Sequence, residues 1–290
     1  RSRMRGMNLQ LPQRYADRAG VNTIREVFDY IRRYRGKTFV LKIEDTLIDH
    51  PLFPLMMKDI VQLHDIGIHV IIVTGTRATI ERHLAKTNSP TKVINGIRIT
   101  TDQDMACVKL AAMEVAQSII SHLFTGNANG IMGNWIRARA LGVCQGVDYQ
   151  YTGHVEKIQS DIIHKLLAQN FIPVVYNIGM NATGDCYNLN SDQIARQICL
   201  DLTIEKLFFI RAQDAIPTKG IEHPPGSQVH PNGKIFSNMD LGHVDFILAR
   251  DKKHLSFENQ ELLAYSKEVI NRPRGVSRVH IIDGRIEGRL

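Results

Sequence analysis

Lys42, Ile43, Glu44 and Asp45 close an apolar run that opens at Lys37. Thr74, Gly75, Thr76 and Arg77 close a second run, which opens at His69. A lysine at the end of a buried strand, joined by glycine-rich turns, is equipment for handling phosphate. The ammonium neutralises a phosphoryl group, and backbone N–H groups cradle its oxygens. Only glycine lets the backbone come that close and take up a positive φ. Here the lysine is present, but the residues that follow it include Glu44 and Asp45 and no glycine. The second turn keeps Gly75 alone among Thr74, Thr76 and Arg77. Two carboxylates in such a cradle oppose the charge of a nucleotide. Phosphate transfer is not expected from such turns.

Those turns need strands and helices to hold them. Ile24, Val27, Phe28 and Ile31 recur at helical spacing and predict a helix over 21–34. Buried strands are predicted at 37–43, 68–73, 171–176 and 206–210, with a last strand at 277–283. Short strands are expected at 93–100 and 157–158, and strands with turns over 131–149. Helices are predicted at 51–66, stopped by Gly67, and from 79 to 85. Further helices are expected at 102–125, capped by Thr101 or Asp102, at 161–169, at 191–202, capped by Ser191, and at 256–271. Helices alternating with near-continuous apolar strands give an α/β fold. It is a three-layer sandwich, a mostly parallel central sheet with helices on both faces. Ligands in such folds sit at the carboxyl ends of the strands. Residues 42–45, 74–77 and 177–190 fall there. The Gly/Asn/Asp loop at 179–190 is the expected boundary between two lobes, about 21–178 and 179–290.

At 290 residues the chain suits one large domain or two modest ones. No apolar run approaches the roughly 18 residues of a membrane span. The net charge of +7 is spread along the chain without interleaved aromatics, which argues against nucleic acid. Anionic small molecules are the better reason for the arginines. Cys107, Cys144, Cys186 and Cys199 share no metal-type spacing and read as small buried thiols in a reducing compartment; no metal is expected. Residues 1–20 are Arg-rich with one acid, Asp17. They read as a leader or flexible tail, with the tail of a transit peptide as an alternative that would place the protein in an organellar matrix. Residues 284–290 read as the start of a helix.

Several motifs in order resemble the amino-acid kinase family, in its acetylglutamate kinase branch. They are Arg35-Gly36-Lys37-Thr38-Phe39-Val40, Leu63-His64-Asp65-Ile66-Gly67-Ile68 and Asn95-Gly96-Ile97-Arg98-Ile99-Thr100. Gly146-Val147-Asp148-Tyr149, Thr152-Gly153, Tyr187-Asn188-Leu189-Asn190-Ser191-Asp192 and Arg274-Gly275-Val276-Ser277-Arg278 continue the series. Within that branch the chain resembles the kinase-like domain of N-acetylglutamate synthases, from about residue 22 to the end. The resemblance implies that Lys42 matches the phosphoryl-neutralising lysine and Asp192 the aspartate that organises the kinase lysines. Arg98 and Asn188 match positions that hold the acylated amino acid. Lys219 and Lys234 lie where a second nucleotide-side lysine is expected.

From the residues alone, Asp192 also suits a helix dipole. Lys42 could pair with Glu44 or Asp45, Arg98 could be a surface arginine, and Asn188 could be turn chemistry.

In the synthases such a domain is catalytically silent and binds L-arginine as feedback effector, so no catalytic residue is expected here. Tyr30 matches a tyrosine of the arginine-site helix, with Glu26 one turn earlier. Phe28 and Ile31 would lie at an interface of a hexamer or a tetramer of dimers. The acetyltransferase domain, which uses acetyl-CoA, is not in this chain, and this segment itself needs no cofactor. No nucleic-acid or membrane partner is expected, and the location is cytoplasmic. An active acetylglutamate kinase with altered loops and a non-enzymatic scaffold are the alternatives.

Overall fold

Val, Ile, Leu and Phe fill the strands at 38–43, 69–74 and 206–211 in near-continuous buried runs, as strands covered on both faces require. The computed structural model describes residues 18–87 and 92–288. The chain divides after Arg35 into two compact units. The first holds helix α1 (Arg18–Tyr34), in which Tyr30 and Tyr34 pack their rings one turn apart, 4.6 Å between centroids. The leader expected over 1–20 lies outside the described residues except for the opening of α1.

The second unit begins with β1 (Thr38–Ile43), α2 (Phe53–Asp65), β2 (His69–Thr74) and α3 (Arg77–Lys86). A hairpin of β3 (Lys92–Ile94) and β4 (Ile97–Ile99) precedes α4 (Asp102–Thr125) and β5 (Gly130–Met132). Then come β6 (Ile136–Ala140), β7 (Val143–Cys144), β8 (Val147–Asp148) and β9 (Gly153–Ile158). α5 (Ser160–Ala168), β10 (Ile172–Val175), β11 (Ile178–Met180), β12 (Cys186–Asn188), α6 (Ser191–Asp201) and β13 (Lys206–Arg211) follow. The chain closes with β14 (Gln228–Val229), β15 (Phe236–Asn238), α7 (Leu241–Arg250), α8 (Phe257–Ile270) and β16 (Arg278–Asp283).

The central sheet runs β16-β13-β1-β2-β10-β5, with every pairing parallel. A second sheet, β12-β11-β6-β9, stands beside it. Val40, Ile71, Val73, Leu207 and Phe209 point to one face and pack with Ile194 and Ile198 of α6, Ile163 of α5 and Leu262 of α8. Their neighbours of opposite parity, such as Phe39, Leu41 and Ile72, point to the other face. There α2 and α4 lie against β2, and α4 against β10. The three-layer α/β architecture read from the sequence is borne out.

Several local expectations are corrected. Residues 93–100 form a hairpin, because Asn95 and Gly96 both adopt positive φ, the turn that matches the twist of paired strands. The cap of α6 is Asn190, whose Oδ1 accepts from the N–H groups of Asp192 and Gln193, and Ser191 is the first helical residue. Thr101 caps α4 in a reciprocal box with Asp104. The loop at 179–190 carries the β11–β12 hairpin of the second sheet. Residues 284–288 are turns rather than a helix start. Cys144 is exposed and Cys107 and Cys186 half-buried, so only Cys199 fits the buried-thiol reading. α4 is long and apolar enough to meet the length and hydropathy of a membrane span, where no such run was expected from the sequence. In the fold Val108, Ala112, Val115, Ile119 and Leu123 of this helix are buried.

Candidate functional site

Strand register builds the site. β1 ends beside β13, pairing Lys42 with Phe209 and Ile43 with Ile210. The next residues on each strand, Glu44 and Arg211, therefore meet at the carboxyl edge of the sheet. The Glu44 N–H donates to the Ile210 carbonyl at 3.0 Å, which carries the ladder one step further. α6 points its amino terminus at the same edge and brings Asp192.

Lys42 is buried, and its Nζ lies 3.0 Å from Asp192 Oδ1 and 3.8 Å from Glu44 Oε1. Burial pushes the ammonium pKa down. The carboxylates of Asp192 and Glu44 more than offset it, so the pKa sits above the usual lysine value. Asp192 thus contacts the lysine directly while also lying in the first turn of α6, where a carboxylate suits the dipole.

Arg211 is the group the sequence reading missed. Its side chain is only 2% exposed. Its guanidinium donates to Asn259 Oδ1 at 2.7 Å and to Glu258 Oε2 at 3.2 Å, and its Nε lies 3.4 Å from Glu44 Oε1. The other Glu44 oxygen accepts from the Ala212 backbone N–H at 2.9 Å. Arg77 donates to the other Glu258 oxygen at 2.7 Å. The only sequence signal was an arginine ending the apolar run 206–210, and its meaning depends on β13 lying next to β1.

The two carboxylates expected to face a ligand part ways. Asp45 is buried, and its Oδ2 accepts from the Thr79 N–H at 2.7 Å. Thr79 is the third residue of α3, whose own cap residue, Thr76, supplies no side-chain hydrogen bond. Asp45 therefore caps a helix from a different loop, where its negative charge meets the positive end of the helix dipole. Lys42 pairs with Asp192 and Glu44, and not with Asp45. Gly75 also has a packing role. A Cβ there would come within 3.2 Å of both Glu44 Cα and the Ile43 carbonyl oxygen. The Gly75 N–H donates to that same carbonyl at 2.7 Å. Glycine at this position lets the two strand ends close on each other.

A second polar cluster surrounds Asn188. Its Nδ2 donates to Thr100 Oγ1 at 3.0 Å, and its Oδ1 accepts from Asn177 at 2.8 Å. Thr152 joins through its hydroxyl, 2.9 Å from Thr100 Oγ1 and 2.6 Å from the Arg98 carbonyl. Asn188, Asn177, Thr100 and Thr152 are all buried. Asn188 is thus part of an interior network rather than a turn. The Arg98 side chain is 9% exposed and pairs with Glu81 at 3.1 Å, so it is not an ordinary surface arginine. Lys219 and Lys234 lie exposed on loops of the segment after β13. Neither enters the ion pairs around Lys42. Tyr30 and Glu26 lie on α1, in the other unit.

The profile of the Amino acid kinase family matches residues 37–255. The chain belongs to that family. Its similarity to curated relatives extends further. It is 30% identical over 281 residues to an amino-acid acetyltransferase of Escherichia coli K12, covering 93% of this chain and 60% of the relative. It is 28% identical over 290 residues to the amino-acid acetyltransferase of Aliivibrio fischeri MJ11, covering 96% and 62%. The chain therefore spans about three-fifths of the length of these relatives. Among solved structures, N-acetylglutamate synthase from Neisseria gonorrhoeae, complexed with coenzyme A and L-arginine, superimposes with a TM-score of 0.80 at 23% identity, over 92% of this chain and 61% of that one. Carbamate kinase from Giardia shares the fold more distantly, with a TM-score of 0.53 at 12% identity, over 86% of this chain and 94% of that one. In this amino acid kinase fold the ends of β1 and β2 are filled by the chain's own carboxylates and hydrogen bonds.

Proposed function

We propose that this chain is the kinase-like regulatory part of an amino-acid acetyltransferase that makes N-acetylglutamate for arginine biosynthesis. On this reading it transfers no phosphate. It binds L-arginine as feedback effector and holds the protein's subunits together. The acetyl transfer from acetyl-CoA belongs to the longer protein, in the cytoplasm. The observation that carries the reading is the match of 93–96% of this chain to amino-acid acetyltransferases. The Lys42 site supports the silent-kinase half of it. A phosphoryl-transfer site works by placing cations where charge develops on the phosphoryl group. Here Lys42 and Arg211 already face Asp192, Glu44 and Glu258.

The arginine site would use α1. Tyr30 and Glu26 lie one turn apart on that helix, and a carboxylate is a good partner for a guanidinium. Self-association would use the same helix, where Ile24, Val27 and Phe28 stay exposed. Calorimetric titration of the chain with L-arginine, with MgATP in a parallel cell, tests both halves. Arginine heat without nucleotide heat is expected, and Tyr30→Ala should weaken the arginine signal. Nucleotide binding with phosphorylation of N-acetylglutamate would overturn the silent-kinase half. Absence of any arginine signal would overturn the effector half.

A further inference from the structure

Two buried cations and a backbone donor converge on one side chain at the edge of the sheet. Lys42 Nζ, Arg211 Nε and the Ala212 N–H all face the carboxylate of Glu44, at 3.8, 3.4 and 2.9 Å. The lysine and arginine side chains are 6% and 2% exposed, whereas Glu44 is 22% exposed. A backbone N–H, a fork-shaped guanidinium and an ammonium around one point are the donor set that recognises a small oxyanion. The neighbouring residue repeats the theme, since Asp45 places its carboxylate on the amino terminus of α3.

We propose that Glu44 is a tethered ligand. Its carboxylate occupies an oxyanion site built by Lys42, Arg211 and the Ala212 N–H, and it excludes free phosphate and phosphate esters. The inference rests on the reading that phosphoryl transfer has been lost, and it gives that loss a mechanism. The site was not emptied of its cations. It was filled from within the chain, so that two buried positive charges stay paired without a nucleotide. Asp192 and Glu258 neutralise Lys42 and Arg211 from the protein side. Removing Glu44 therefore leaves the donors in place with one negative charge fewer among them.

The test compares the parent chain with Glu44→Gly, using inorganic phosphate as the probe in calorimetric titration. The expected result is phosphate affinity raised by roughly tenfold or more in the variant, the scale of a freed set of charge-assisted hydrogen bonds. Phosphate should also raise the melting temperature of Glu44→Gly, and leave that of the parent unmoved, relative to chloride at equal ionic strength. Adding Lys42→Met to Glu44→Gly should abolish the gain. A Glu44→Gly chain with native circular dichroism and no gain over the parent overturns the proposal. So does a gain that survives Lys42→Met, which would place the anion elsewhere. Should Glu44→Gly not fold in chloride, recovery of the fold in phosphate supports the proposal and failure in both buffers overturns it. The arginine titration above does not depend on Glu44, so loss of one reading is distinguishable from loss of the other.

Discussion

Replacing Arg211 by leucine should be among the costlier single changes in the polar part of the chain. The guanidinium is 2% exposed and makes three contacts with Asn259, Glu258 and Glu44. Breaking a buried ion pair from one side costs about 3–5 kcal/mol, because the remaining charge is left buried. Leaving the Asn259 carbonyl, in a residue only 8% exposed, without its 2.7 Å donor adds about 1–3 kcal/mol. Two effects offset this. Glu258 is 44% exposed and Glu44 22% exposed, so both carboxylates can turn toward water, and leucine buries apolar surface in return.

The net expectation for Arg211→Leu is about 3–4 kcal/mol, read by urea denaturation. At about 2–4 °C per kcal/mol for a domain of this size, the melting temperature should fall by roughly 10 °C. Arg250→Ala is the control. Its pair with Glu222 is 60% and 62% exposed and should cost less than about 1 kcal/mol. Adding Glu44→Gln to Arg211→Leu should recover part of the loss, by about 1 kcal/mol of coupling. If Arg211→Leu costs no more than Arg250→Ala, the guanidinium is not holding the site, and the reasoning from burial fails.

Two further changes probe the same edge of the sheet. Gly75→Val should destabilise by about 1–3 kcal/mol in urea, through contact with the Ile43 carbonyl and Glu44 Cα rather than through backbone strain, and Gly75→Ala by less; equal stability of Gly75→Val and parent would show that the strand ends are not close-packed. His280 stacks on Phe208 at 4.5 Å, and burial, helped by Lys206 and Arg278, lowers its pKa from 6.5 to about 4. Its protonation favours the unfolded chain, so its contribution is full above pH 6.5 and is lost as the pH falls from 6.5 toward 4. Between pH 7 and pH 5 the parent should lose about 1–2 kcal/mol by this route, after allowance for its partial exposure. His280→Gln should lose less over the same interval, and identical losses would exclude the histidine as the cause.

The layer architecture was legible because continuous apolar strands alternating with helices leave few ways to bury both kinds of surface. The strand ends were legible too, which put Lys42, Glu44 and Gly75 at one edge, whereas Asp192 reaches Lys42 only through the placement of α6. Turn chemistry was read less well. Asn95-Gly96 is a strong hairpin signal that lies inside what reads as one short polar-rich strand, and Asn190 outranked Ser191 as a cap because its amide oxygen reaches two N–H groups.

What the sequence determined by itself was local: which residues form strands, which strand-end turns carry carboxylates or a single glycine, and which family motifs follow in order. What only the tertiary structure decided was partnership. Arg211 acquires its role because β13 pairs with β1 in a register that sets it beside Glu44, across 167 positions of chain. Asp45 turns from a presumed repulsive charge into the cap of α3, 34 positions away. Asn188, for which turn chemistry was the alternative reading, joins a buried network through Thr100, 88 positions away. Charges interact over a few ångströms of space, and sequence spacing says nothing of that distance once the chain has crossed from one strand to another.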